Sequence, residues 1–291
     1  MTPTHALGAI LVMVLWGLNF PVAKIGLEQF PPLAMMALRF TVVAALVVPF
    51  VKMPKGRIRE IALLSFTLGF LHFSLMFNGL QYVDAAVAAV TIQIQVPFAA
   101  VLGMVLFGDT LGWRRWLGMG VAIAGVAILA GEPRAGSPWW AVGLIVMAAM
   151  VWACANIQMK KLSDVNGLAV NGWMGLFAAP QLALGSLILE DGQIEAIRTA
   201  DLVAWGSIAY QAVLVVIFCY GVWYWLLNRY PLSQAMPYTL LVPVFGVMSG
   251  VALLGEPVSL QLVIGAAATI VGVAIILIRR PATIDTKIPT S

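Results

Sequence analysis

The chain has 291 residues, of which 62% are hydrophobic and 10% charged, and its mean hydropathy is +0.99. Water-soluble domains run at roughly 45–50% apolar and about 25% charged, so this composition excludes an ordinary soluble enzyme and a disordered chain. With two cysteines it also excludes a disulfide scaffold. The net charge of +4 sits in short connections, so it reads as membrane topology and no nucleic-acid partner is expected.

In chain order, ten apolar blocks approach the roughly 20 residues that a bilayer-spanning helix needs. They cover 6–23, 33–51, 61–82, 85–107, 113–130, 139–159, 168–189, 202–227, 233–254 and 260–278. The first carries no Lys or Arg before Trp16 and outruns a signal peptide, so it is expected to be a retained span. Cys154 and Cys219 lie inside apolar blocks and read as small core residues. The polar stretch after Arg280 is expected to fray. No Walker-type glycine loop is present, so ATP hydrolysis is not expected. The fold class is an all-α membrane protein.

Lys and Arg alternate sharply between the two sides. One side holds Lys52, Lys55, Arg57, Arg59, Arg114, Arg115, Lys160, Lys161, Arg229, Arg279, Arg280 and Lys287. The other holds Lys24, Arg134 and Arg198. With Arg39 inside a span, these account for all 16. The bias puts both termini in the cytoplasm.

The chain also repeats itself. Trp16 and Lys24 are spaced like Trp152 and Lys160. Pro97 precedes Gly108-Asp109 as Pro243 precedes Gly255-Glu256, and Gly125-Val126-Ala127-Ile128 recurs at Gly272-Val273-Ala274-Ile275. Two halves, 1–133 and 134–291, each hold five spans. Five is odd, so the second half enters the membrane from the opposite side. This is an inverted repeat, a common plan for secondary transporters, with the site near the midplane between the halves.

Polar groups inside the apolar blocks are expensive and tend to face a cavity or a partner. Trp16, Asn19, Phe20 and Lys24 form one stripe of span one, and Trp152, Asn156 and Lys160 repeat it in span six. The rings and amides suit stacking on a substrate and hydrogen-bonding it; helix packing is the alternative. Lys24 and Lys160 are expected to snorkel. Pro97 frees the carbonyl of Gln93, and Pro243 frees that of Thr239. The matched kinks predict cavity lining or gating; a structural kink satisfied by neighbours is the alternative. Gln93 shares a face with Pro97, whereas Gln95 points elsewhere. His72, central in span three, suits a coupling proton or a neutral packing role. Arg39, placed near the outer end of span two, suits a substrate carboxylate; a backbone carbonyl or snorkelling is the alternative. Tyr220, Trp223 and Tyr224 with Tyr238 form an aromatic set. Trp113, Trp116, Trp139 and Trp140 read as interface belts. None of the 12 carboxylates lies mid-membrane, which disfavours a buried sodium or proton site and a pocket for cationic drugs. Asp109 and Glu256 precede spans five and ten and are expected to complement helix N-termini. Gly246, Gly250, Gly118, Gly125, Gly265 and Gly272 let helices approach, within the bundle or in a homodimer. One buried His and two isolated Cys make neither a zinc site nor a nucleophile dyad. Neither metal, cofactor nor enzymatic activity is expected.

Taken together, Trp16-Gly17-Leu18-Asn19-Phe20, Pro31-Pro32, Arg39-Phe40, Gln93 to Pro97, Gly108-Asp109, Arg229-Tyr230, Leu241-Val242-Pro243 and Gly255-Glu256 resemble the EamA family of the drug/metabolite transporter superfamily. They look closest to its bacterial O-acetylserine/cysteine exporter subgroup. The resemblance covers both halves, with Asp109 where relatives often carry Glu. It implies two inverted five-helix repeats around a central cavity bounded by spans one to four and six to nine. It further implies export of small metabolites, most naturally amino acids, across the bacterial inner membrane. A drug or lipophile exporter of the same superfamily is the alternative. The expected partners are a small-molecule substrate and the lipid bilayer.

Overall fold

The computed structural model describes residues 1–107, 112–131, 138–230 and 232–277. Among them are helices only, ten of which are long and apolar enough to cross a membrane. These are Pro3–Leu27, Pro32–Phe50, Ile58–Tyr82, Ala85–Leu106, Trp113–Ala130, Trp139–Lys161, Gly167–Leu189, Leu202–Leu227, Met236–Leu254 and Leu260–Leu277, here spans one to ten. The face carrying Met1 is called near, the opposite one far.

Local chemistry sets the span starts. Thr2 accepts from the His5 N–H ahead of Pro3, which needs no donor at a helix start. Asn166 caps span seven through Leu168 N at 2.8 Å. Asp201 caps span eight through Ala204 N at 2.9 Å, and that N–H holds the Asp201 carboxyl below its usual range.

Two kinds of irregularity recur in matching spans. Span three is π-helical over Ser65–His72, and span eight over Tyr210–Cys219. Span four has a 3-10 turn at Ile92–Ile94 before the helix that carries Pro97. Span nine has one at Met236–Leu240 before the helix that carries Pro243. Both prolines are the third residue of the helix that follows, which spares a missing donor. The third spans match in the two halves, and so do the fourth.

Packing obeys the same symmetry. Span one lies against spans eight and nine, and span six against spans three and four; spans two and seven pair, as do five and ten. Each half's first span is thus gripped by the third and fourth spans of the other. Spans five and ten close through glycine. A Cβ on Gly118 would lie 2.7 Å from Gly272 O, and one on Gly272 would collide with the Ala122 backbone. These small faces are used within the chain. Trp113, Trp116, Trp139 and Trp140 are exposed near span ends, as belts require.

Candidate functional site

Arg39 lies seven residues into span two, about 10 Å along it, deeper than the outer-end placement expected. It is 2% exposed. Its Nη1 donates to Gln211 Oε1 of span eight at 3.4 Å and points at Met36 Sδ at 3.8 Å. The guanidinium carbon lies 4.9 Å from the Phe73 ring centre and 5.6 Å from that of Phe40. Arg39 Nε is buried without an acceptor. Among the described residues Arg39 forms no ion pair. A buried cation held by an amide, a thioether and two rings keeps most of its desolvation cost.

The matched spans pair the expected aromatic residues with one another. Trp152 of span six meets His72 of span three at 4.8 Å between ring centres. Trp16 of span one meets Tyr220 at 5.3 Å and Trp223 at 5.6 Å on span eight. His72 and Tyr220 stand where the π-helical stretches of spans three and eight end, so the two Trp contacts are counterparts. His72 adjoins the Arg39 cluster through Phe73, whose ring lies 4.8 Å from the imidazole and 4.9 Å from the guanidinium carbon. His72 Nδ1 donates to Ala148 O at 2.9 Å, which fixes the ring's tautomer.

Other expected residues stand apart. Phe20 packs near Gly246, and Asn19 Oδ1 and Trp16 Nε1 are buried without partners. Tyr238 joins Trp16 in an apolar cluster around Met13 and Trp223. Gln93 is buried in the 3-10 turn of span four. Among the described residues, no hydrogen bond or ring contact ties Gln93 or Asn156 to the Arg39 cluster. Asp109 lies outside the described residues.

At the far face Glu256 complements a helix N-terminus, but that of span four and not of span ten, which it precedes. Its Oε1 and Oε2 accept from Ala85 N and Ala86 N, at 2.5 and 2.9 Å, at the start of span four. Gly255, at φ 65°, turns the chain back towards it, and a Cβ on Gly250 would collide with the carboxylate. Lys24, at the far end of span one, is engaged there. It donates to Val83 O and lies 3.9 Å from Glu256 and 3.8 Å from Asp84, because this carboxylate is within its reach. Glu190, from the end of span seven, accepts from Leu33 N and Ala34 N at 2.7 and 3.1 Å, at the start of span two. The far ends of spans two and four are therefore each held by a carboxylate of the other half, where the helix dipole favours one.

The near face is tied differently. Arg57 pairs with Asp164 at 2.9 Å, exposed, and its hydrogen bond holds the Asp164 carboxyl below its usual range. A far-face cavity of about 570 Å³ is lined by Glu28, Asn78, Gln81 and Glu190 among others. A near-face cavity of about 410 Å³ includes Lys52 and Asp164. Neither touches the Arg39 cluster, whose members pack against one another.

Sequence reasoning missed Gln211 and Glu190. A single amide inside the apolar run of span eight was the signal for Gln211. Nothing marked Glu190 among the loop carboxylates.

The architecture is that of a membrane carrier built from two inverted halves. The EamA-like transporter family model matches residues 4–131 and 139–278, and the chain belongs to that family. A Salmonella typhimurium protein named "Probable amino-acid metabolite efflux pump" is 34% identical over 278 residues, 92% of each chain. An Escherichia coli protein of the same name is 35% identical over 259 residues, covering 85% of this chain and 86% of that one. A solved crystal structure, 17% identical, superposes with a TM-score of 0.66 over 94% of this chain and 96% of its own, which supports the fold alone. The chain is a multi-pass membrane transporter of small molecules, and its family and these relatives are transporters, not enzymes.

Proposed function

We propose that this transporter exports small carboxylate-bearing metabolites, amino acids and close derivatives foremost, by alternating access between its two halves. The observation that carries the reading is Arg39, a buried guanidinium with a free Nε and no resident carboxylate among the described residues. A cargo carboxylate supplies the bidentate, charge-assisted partner that the fold withholds. The names of the two relatives support the same cargo class. Trp16, Trp152 and Tyr220 would flank the cargo, with Asn19, Asn156 and Gln93 as hydrogen-bonding groups along the path. Phe20 and Tyr238 would line it, and the breaks at Pro97 and Pro243 would serve as its hinges.

The aromatic set keeps a lipophile exporter as the second reading. A resident buried cation opposes cationic drugs, so the discriminating test is transport in liposomes of neutral amino acids against cationic dyes. Saturable amino-acid flux with no dye flux is expected; dye flux alone would reverse the assignment.

We assign His72 to positioning Trp152. His72→Gln is expected to lower flux several-fold while its dependence on a pH gradient stays as in wild type. Loss of that dependence would instead make His72 the carrier of a coupling proton.

The charge bias supports a bacterial inner-membrane protein with both termini cytoplasmic. Reporter fusions at each end are expected to report the cytoplasm, and a periplasmic C-terminus would break the ten-span topology.

A further inference from the structure

Gln211 is fully buried on the π-helical stretch of span eight, and both ends of its amide are committed. Its Oε1 accepts from Arg39 Nη1 of span two at 3.4 Å. Its Nε2 donates to Ser207 Oγ at 3.2 Å, and Ser207 Oγ donates onward to Val22 O of span one at 2.7 Å. The amide cannot be turned over. Its NH₂ would then face a guanidinium that has only donors. Three spans therefore meet through one side chain.

The link to Arg39 is the weak one. At 3.4 Å it is long for an N–H···O bond. An amide oxygen is also a neutral, single acceptor where a guanidinium is best matched by a two-oxygen anion. A carboxylate arriving at Nη1 and the empty Nε would take Arg39 from Gln211. The released Oε1 would then be a buried acceptor without a donor, and the side chain would have to move to find one. Its motion pulls on Ser207 and so on Val22 O. The same stretch holds span one a second time, through Tyr210 Oη to Leu15 O at 2.7 Å. A π-helix carries slack that an α-helix lacks, and such segments gather at functional sites.

We infer that Gln211 is the resident stand-in for the cargo carboxylate at Arg39. It is a positioning residue whose displacement by cargo loosens the tie between spans eight and one. This rests on the carboxylate reading of Arg39 above.

The test compares variants in liposomes by apparent affinity and maximal rate for a neutral amino acid. Gln211→Glu installs a permanent rival carboxylate, and affinity is expected to fall about 100-fold, equivalent to about 2.7 kcal/mol. Gln211→Met keeps the volume and removes the rival. Affinity is then expected to rise several-fold while the maximal rate falls, because the signal to span one is lost. Gln211→Ala gives the same split should the Met variant fail to fold. Equal losses of affinity in the Glu and Met variants, or unchanged kinetics in both, would overturn the inference. Arg39→Gln is the control for the underlying reading: undiminished amino-acid flux there would remove the carboxylate site itself, whatever Gln211 does.

Discussion

Arg39→Gln is expected to abolish amino-acid transport while raising the melting temperature of the empty protein. The two effects have one source. Each charge-assisted hydrogen bond from the guanidinium to a cargo carboxylate contributes about 1.5–3 kcal/mol. Losing two removes roughly 3–6 kcal/mol, more than 100-fold in binding. Without cargo, the same cation is buried with partners too weak to offset its desolvation. A neutral amide should therefore stabilise the fold, by the order seen when buried ion pairs are replaced, about 1–4 kcal/mol. Arg39→Lys keeps the charge but not the planar fork, so it should recover little of the lost flux. Thermal denaturation in detergent and counterflow in liposomes check both halves. A lowered melting temperature with normal flux would make Arg39 a structural residue.

The second large effect is expected at the far face. Glu190 and Glu256 each accept two backbone N–H groups at the head of a span from the other half. Changing either to Gln leaves one acceptor oxygen and turns an NH₂ towards a backbone donor. Each loss of about 1.5–3 kcal/mol shifts an open–closed equilibrium about 10- to 100-fold. The Glu190→Gln, Glu256→Gln pair should therefore open the far end. With Cys154 and Cys219 replaced by Ala, a cysteine at position 16 reports the change. An impermeant maleimide added at the far face should label it much faster in the double variant. Arg57→Ala at the near face removes two exposed ion pairs, to Asp164 and Glu60, each worth little, and should change far-face labelling little. Unchanged labelling in the double variant would show that these carboxylates are helix caps without a gating role.

Much of this was legible in the sequence. Ten apolar blocks and the alternation of Lys and Arg yield the spans, because lipid forces each backbone to satisfy itself within a helix. Pro97 and Pro243 draw notice by their matched places in the two halves, and 3-10 turns precede both, whereas Pro21 and Pro180 lie inside continuous helices. Arg39 and His72 stand out because a polar group in an apolar run needs a reason. The partners were not legible. Glu256 sits just before span ten in sequence, yet its carboxylate belongs to span four. Only Gly255 and the packing of Gly250 direct it there. Lys24 could have reached water at a span end, but the fold sets an acid and a carbonyl beside it. The π-helical stretches left no trace, since Ser65–His72 and Tyr210–Cys219 read as ordinary apolar helix. In the fold both stretches are bonded to other spans, Thr67 accepting from Gln158 at 2.9 Å and Tyr210 donating to Leu15 O.

Calorimetric titration of the purified protein reaches the proposed mid-span carboxylate site most directly. The titrants are a neutral amino acid and the amine left by its decarboxylation, against wild type and Arg39→Gln. The amino acid should bind wild type, the amine should not, and the variant should bind neither. Equal binding of amine and amino acid, or an unaltered isotherm in the variant, would contradict a guanidinium that waits for an anion between the two halves.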